Sequence, residues 1–131
     1  MPTKNSPGYE LTWVEHPTYT HFTVTGDNSP QNYLAYASEF IEISRERSFR
    51  CVLVEDKLAG PRMSVMELFS VIPEATQQAL GVFDVIAYVD EQIGDMAYFA
   101  ETVAVNRGVN VSIFTSMDEA RRWLAEKTAT V

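Results

Sequence analysis

Hydrophobic and polar positions change period several times along this chain, and each change marks a boundary between elements. Tyr9 to Glu15 (YELTWVE) is rich in β-formers. His16-Pro17 interrupts it, and Thr18 to Thr25 resumes with Thr20, Phe22 and Val24 on one parity. Proline lacks the ladder donor, so this reads as a strand–turn–strand hairpin with one buried face. Gly26 to Ser29 turns the chain; Ser29 can cap a helix and Pro30 suits its first position. Tyr33, Leu34, Ala37, Phe40, Ile41 and Ser44 follow at helical spacing. Arg45, Arg47 and Arg50 crowd the helix end, where they favour the negative pole of its dipole.

Cys51-Val52-Leu53-Val54 is uniformly apolar, as suits a central strand buried on both faces, and residues 55–62 leave it as a loop. Ser64-Val65-Met66-Glu67 has the capping-box form. Met66, Phe69, Ile72 and Ala79 continue an inner apolar stripe, and Gly81 can close that helix. Val82 to Val89 reads as the second central strand, with residues 90–94 as its exit loop. Asp95 can cap a helix carrying Met96, Phe99, Ala100 and Val103, stopped by Gly108. Val109, Val111 and Ile113 alternate with Asn110 and Ser112, as a strand with one wet face would. Ser116-Met117-Asp118-Glu119 is a second capping box, ahead of Ala120, Trp123 and Leu124. Residues 1–8 read as a loose leader and residues 9–128 as one domain. The order β-β-α-β-α-β-α-β-α predicts an α/β fold, with a mixed, mostly parallel sheet and an N-terminal antiparallel hairpin.

Composition narrows the function classes. The 131 residues are 46% hydrophobic, enough to fill a core and too apolar for wholesale disorder. Ten basic against eighteen acidic residues give a net charge of −8, which excludes a free-standing nucleic-acid binder. The charge is local: seven acids and no Lys or Arg lie between Arg62 and Arg107. A single cysteine, Cys51, rules out an intrachain disulfide and fits a reducing compartment. No apolar run is longer than that of Val85 to Val89, far too short for membrane insertion, and no signal peptide opens the chain. A cytoplasmic location is the expectation.

Candidate chemistry is sparse. His16, His21 and Cys51 lack metal-site spacing, and the histidines read as exposed strand or turn residues. Glu55 and Asp56 end one central strand, and Asp90 and Glu91 end the next. Ligands bind at such strand ends, so a Mg²⁺ cluster of receiver type is an option; the lysine a receiver needs after its last strand is replaced by Phe114-Thr115-Ser116. No nucleophile elbow or phosphate-binding glycine loop is present. Met63, Met66, Phe69, Met96, Tyr98 and Phe99 could line an apolar pocket or simply fill the core. No catalytic residue, cofactor or metal ligand is assigned.

Five segments carry a family resemblance. They are Tyr9-Glu10-Leu11-Thr12-Trp13, residues 51–56 (CVLVED), residues 85–89 (VIAYV), residues 106–114 (NRGVNVSIF) and residues 118–124 (DEARRWL). Together with the element order, they make the chain similar to the SpoIIAA-like family of small bacterial proteins, within the STAS/SEC14-type fold group that includes anti-sigma factor antagonists. In regulatory STAS proteins the strand before the second helix leads to an Asp-Ser-x-x-Gly-type segment whose serine is phosphorylated by a partner kinase. By position the match here is Ser64, although Met63 stands in the place of the aspartate and no glycine follows closely.

The resemblance implies a non-enzymatic regulatory or protein-binding module. Its candidate partner surface combines Lys57, Arg62, Ser64 and Glu67 with the acidic loop residues Asp90, Glu91 and Asp95. The alternatives are a carrier of a small apolar ligand or lipid, as in SEC14-type relatives, and a Mg²⁺-dependent enzyme or receiver. A protein partner is expected, and a homodimer through an edge strand or helix face is an option.

Overall fold

A computed structural model describes residues 3–6, 8–94 and 96–129. Six strands form one sheet in the order β1-β2-β3-β4-β5-β6. These are β1 (Thr3–Ser6), β2 (Tyr9–Glu15), β3 (Thr20–Asp27), β4 (Cys51–Ala59), β5 (Val85–Val89) and β6 (Val111–Phe114). The helices are α1 (Pro30–Arg47), α2 (Val65–Ala79), α3 (Met96–Asn106) and α4 (Met117–Ala129). β1 pairs antiparallel with β2 and β2 with β3, while β3 through β6 run parallel. The α/β class, the mostly parallel mixed sheet and the antiparallel hairpin are all present.

Several boundaries differ from the sequence reading: β5 starts at Val85 rather than Val82 and β6 at Val111 rather than Val109, and two further differences are larger. The expected loose leader contains a strand: the backbone of Thr3–Ser6 pairs with Tyr9–Thr12. Edge pairing uses main-chain groups alone, so a polar run can supply it without any apolar signal. The second difference is the length of β4. Residues 55–59 are not a loop but continue the strand, pairing Thr23–Asp27 of β3. Val52, Val54, Asp56 and Leu58 form its buried parity, so the strand delivers a carboxylate into the interior.

Strand parity divides the core in two. Leu11, Trp13, Phe22, Val24, Val52, Val54, Ile86 and Val111 pack with the buried stripes of α1, α2 and α3 on one face. Leu53, Val85, Ala87 and Val89 pack with Ala120 and Leu124 of α4 on the other. Successive right-handed crossovers moving one way along a sheet put their helices on one side, which is where α1–α3 lie. The helix starts are locally determined. Ser29 Oγ accepts from Asn32 N at 3.1 Å, and Pro30 occupies the first helical position.

One glycine fixes the corner where the hairpin meets α1. Gly26 has φ +130°, and a Cβ there would lie 2.2 Å from Gly8 O. The close approach lets Asp27 N donate to Gly8 O at 2.9 Å, while Asn32 Nδ2 donates to Asp27 O at 2.8 Å. A side chain at 26 would break this junction.

Candidate functional site: a cavity with a polar mouth

Between the sheet and α1–α3 lies a cavity of about 100 Å³. Its apolar wall exists because α2 and α3 present small residues there: Ala75 and Ala79 on one, Ala100 and Ala104 on the other. Each pair is spaced i, i+4, so each lies on one helix face. Ile72, Ile86, Val109 and Val111 complete that wall.

The polar mouth is built where β4 and β5 end. Asp56 is 7% exposed and Asp90 4%. Tyr36 Oη lies 2.7 Å from Tyr88 Oη and 3.3 Å from Asp56 Oδ2, and Tyr88 Oη donates to that same carboxylate oxygen. Leu58 N donates to Asp56 Oδ1 at 2.9 Å. Arg62 lies between the acids: Nη1 is 2.8 Å from Asp90 Oδ2 and 4.0 Å from Asp56 Oδ1. Its Nη2 donates to Leu58 O and Gly60 O, so the side chain also ties down the loop after β4. Asp90 Oδ1 accepts from Gln92 N at 3.0 Å.

Burial sets the electrostatics of this cluster. It pushes the Asp56 carboxyl up, against the opposing effect of the hydrogen bonds from Tyr88 and the Leu58 N–H. Burial likewise raises the Tyr33 phenol to about 12, and the Tyr36 and Tyr88 phenols well above their ordinary range. All three stay neutral donors at neutral pH. The sign for stability follows. A carboxyl raised in the folded state contributes stability that is full below the ordinary aspartate value of about 4 and declines as pH rises through the folded value. We expect Asp56→Asn to gain melting temperature relative to the native chain as pH is raised from about 4 towards 7. A gap that stays constant, or moves the other way, contradicts the raised carboxyl.

The sequence-predicted surface divides in this structure. Arg62 and Asp90 come together as a part-buried ion pair, so neither is a freely exposed surface group. Lys57 and Glu91 are exposed and far from a pocket role: Lys57 Nζ is 4.0 Å from Glu55 Oε2, outside the cavity lining. Asp95 lies outside the described residues. Ser64 and Glu67 form a reciprocal capping box, with Glu67 N donating to Ser64 Oγ at 3.2 Å and Ser64 N to Glu67 Oε1 at 2.9 Å. Ser64→Ala should therefore cost roughly 0.5–2 kcal/mol, read as a shifted urea midpoint at unchanged slope.

The strand-end carboxylates do not converge as a Mg²⁺ cluster requires. Glu55 and Asp56 are consecutive on a strand and face opposite sides of the sheet. Glu55 bonds His21 at 3.0 Å on the far side, while the Arg62 guanidinium lies between Asp56 and Asp90. Among the described residues no group of three or more His, Cys, Asp and Glu is placed to hold a metal ion. His21 is half-buried rather than exposed, and burial lowers its pKa despite Glu55.

No family model, curated protein or solved structure matches this chain. Among the described residues no helix is long and apolar enough to cross a membrane.

The expected pocket-lining residues separate as well. Met63 and Met96 line the cavity. Met66, Phe69 and Tyr98 are instead 83%, 53% and 79% exposed, and Phe99 is half-buried against Phe69 at 5.4 Å between ring centres. Tyr36, Asp56 and Tyr88 were missed as a group. Their signal is parity: Asp56 falls in step with Val54, and Tyr88 with Ile86.

Proposed function

We propose that this chain is a non-enzymatic binding protein that holds a small apolar molecule between its sheet and α1–α3. The observation that carries the reading is the alanine-walled cavity of about 100 Å³, lined at one end by a hydrogen-bonded polar cluster. Pockets for small molecules share this form, an apolar lining with a few fixed polar groups, and in parallel sheets they sit at the carboxyl ends of strands. An apolar cavity of roughly 150 Å³ stays dry and admits benzene or xenon, so this one suits a compact ligand rather than a long-chain lipid. The successive β-α units after the hairpin support the likeness to SEC14-type carriers and SpoIIAA-like proteins.

The test uses toluene. Saturating toluene should raise the melting temperature by several degrees, since a ligand at about 100 times its Kd adds roughly 2.7 kcal/mol to the native state. Ala104→Leu fills the cavity and should abolish the shift while keeping the fold. No shift in the native chain, or an equal shift in Ala104→Leu, removes the reading.

A second reading, a STAS-like protein-binding module, is supported by the exposed apolar side chains Val65, Met66, Phe69 and Tyr98 beside Ser64 and the α3 start. Under it, Met66→Ser with Phe69→Ser should abolish capture of a protein partner and leave toluene binding intact.

A further inference from the structure

We propose that the outer face of α2 and α3 docks a basic amphipathic helix of a partner protein, laid lengthwise over the seam between the two helices. The proposal rests on the second reading above, that of a protein-binding module, and adds the chemistry of the partner.

The apolar part of the face is a stripe shared by both helices. Met66 points outward from α2, and Phe69 stands about 60° around the helix from it. Phe69 meets Phe99 of α3 at 5.4 Å between ring centres, so that flank of α2 is the one turned towards α3. Tyr98 and Val105 continue the exposed stripe on α3, and Leu80 continues it past the end of α2. Met66 to Leu80 covers about 21 Å, roughly four turns of a bound helix. Contiguous exposed apolar side chains mark interaction surfaces, and methionine and aromatic residues are the types enriched there. A helix seated in such a seam anchors through side chains at i, i+3 or i+4, and i+7.

Charge identifies the partner, because acids border the stripe on both sides. On the α1 side, Glu74 and Glu67 stand about 80° and about 100° around α2 from Met66, on the flank opposite Phe69. On the β6 side, Glu101 stands about 60° around α3 from Tyr98, on the flank opposite Phe99. Two of these carboxylates are held in place: Glu101 Oε1 accepts from Ile113 N at 2.7 Å, and Glu67 Oε1 from Ser64 N at 2.9 Å. Neither α2 nor α3 contains a Lys or Arg. Arg45 reaches the Gln78 carbonyl from α1, but Glu42 meets its charge at 2.6 Å. Lysines or arginines flanking the apolar face of an incoming helix would find a carboxylate on either side. The same charges select against other occupants. A second copy across a two-fold axis would bring two acid-rimmed, base-free faces together, and an anionic membrane would repel this one.

The experiment uses labelled helical peptides of about 15 residues, long enough to span the stripe. One has a leucine face backed by lysines, its twin carries glutamate in place of lysine, and a third is the lysine peptide in shuffled order. Fluorescence anisotropy against the native chain should show the ordered lysine peptide binding at least about tenfold more tightly than either control. Met66→Ser with Tyr98→Ser, at two of the most exposed positions, should weaken it about tenfold. Glu74→Lys should weaken it about threefold and strengthen the glutamate twin. Equal binding of the lysine and glutamate peptides, both lost in Met66→Ser with Tyr98→Ser, overturns the basic partner and leaves the protein-binding reading standing. Lysine-peptide binding that survives that double variant places the contact elsewhere and overturns the proposal. A dimer in sedimentation, or binding to phosphatidylcholine vesicles, that the double variant abolishes assigns the face to a second copy or a membrane and also overturns it. Failure of every peptide, with no dimer and no vesicle binding, removes the protein-binding reading of this face together with the proposal.

Discussion

Arg62→Met should lower the unfolding free energy by about 3 kcal/mol, the low end of the cost of removing one partner from a buried ion pair, because the arginine is part-buried. The loss of attraction is the smaller part. Asp90, 6% exposed at its side chain, would keep only the Gln92 N–H as a partner, and Asp56 would lose its nearest cation. The carbonyls of Leu58 and Gly60 would lose their donor as well, so the loop after β4 would loosen. Urea unfolding at pH 7 measures the effect. Adding Asp90→Asn should restore part of the loss, because it removes the orphaned charge; a double variant no more stable than Arg62→Met would place the cost in the loop contacts instead.

Phe22→Ala should cost about 3–5 kcal/mol, a large share of the 5–15 kcal/mol that holds a domain of this kind. Phe22 is fully buried at the centre of the β2–β3–α1 layer. Its ring lies 5.9 Å from Trp13, 5.5 Å from Phe40 and 6.2 Å from Phe49, so three aromatic partners lose a neighbour together. These rings come from separate elements and cannot collapse into the void without moving β2, β3 or α1. Phe22 does not line the cavity, so under the proposed reading whatever fraction stays folded should still bind toluene. A loss below about 1.5 kcal/mol would show that the layer closes over the gap.

The parts of this fold that were legible in the sequence are those decided locally. Ser29-Pro30 and Ser64-x-x-Glu67 announce helix starts because the bonds they make span three residues. The apolar runs at Cys51–Val54 and Val85–Val89 announce central strands because both faces are covered. The candidate site was legible only in pieces. Glu55, Asp56 and Lys57 read as the start of a loop because charged residues ordinarily leave a sheet. Here the strand continues, paired along β3, and only the three-dimensional pairing reveals that Asp56 faces inward. Arg62 and Asp90 were both singled out, but 28 residues separate them and nothing local joins them. In α2, Phe69 and Met66 stand about 60° and about 120° around the helix from Ile72, on one flank of its apolar stripe. Which side of that broad stripe is buried depends on where α3 packs, and that is not a property of α2 alone. Thr3–Ser6 carries no apolar mark because an edge strand can be held by its backbone.

The strand order repeats the order of synthesis. As the chain leaves a ribosome, β2 can pair with β1, β3 with β2, and each later strand with the one made before it. No strand has to hold an open edge while a distant segment is translated. The longest loop closures are single β-α-β crossovers, which keeps the entropic cost of each step small for a parallel sheet. The edge that remains exposed advances with the growing chain until β6, after which α4 packs across the far face against β4, β5 and β6. The last helix made is thus the one that completes the second core layer, and truncation within residues 117–129 should leave a nascent sheet whose first face is formed and whose second is bare.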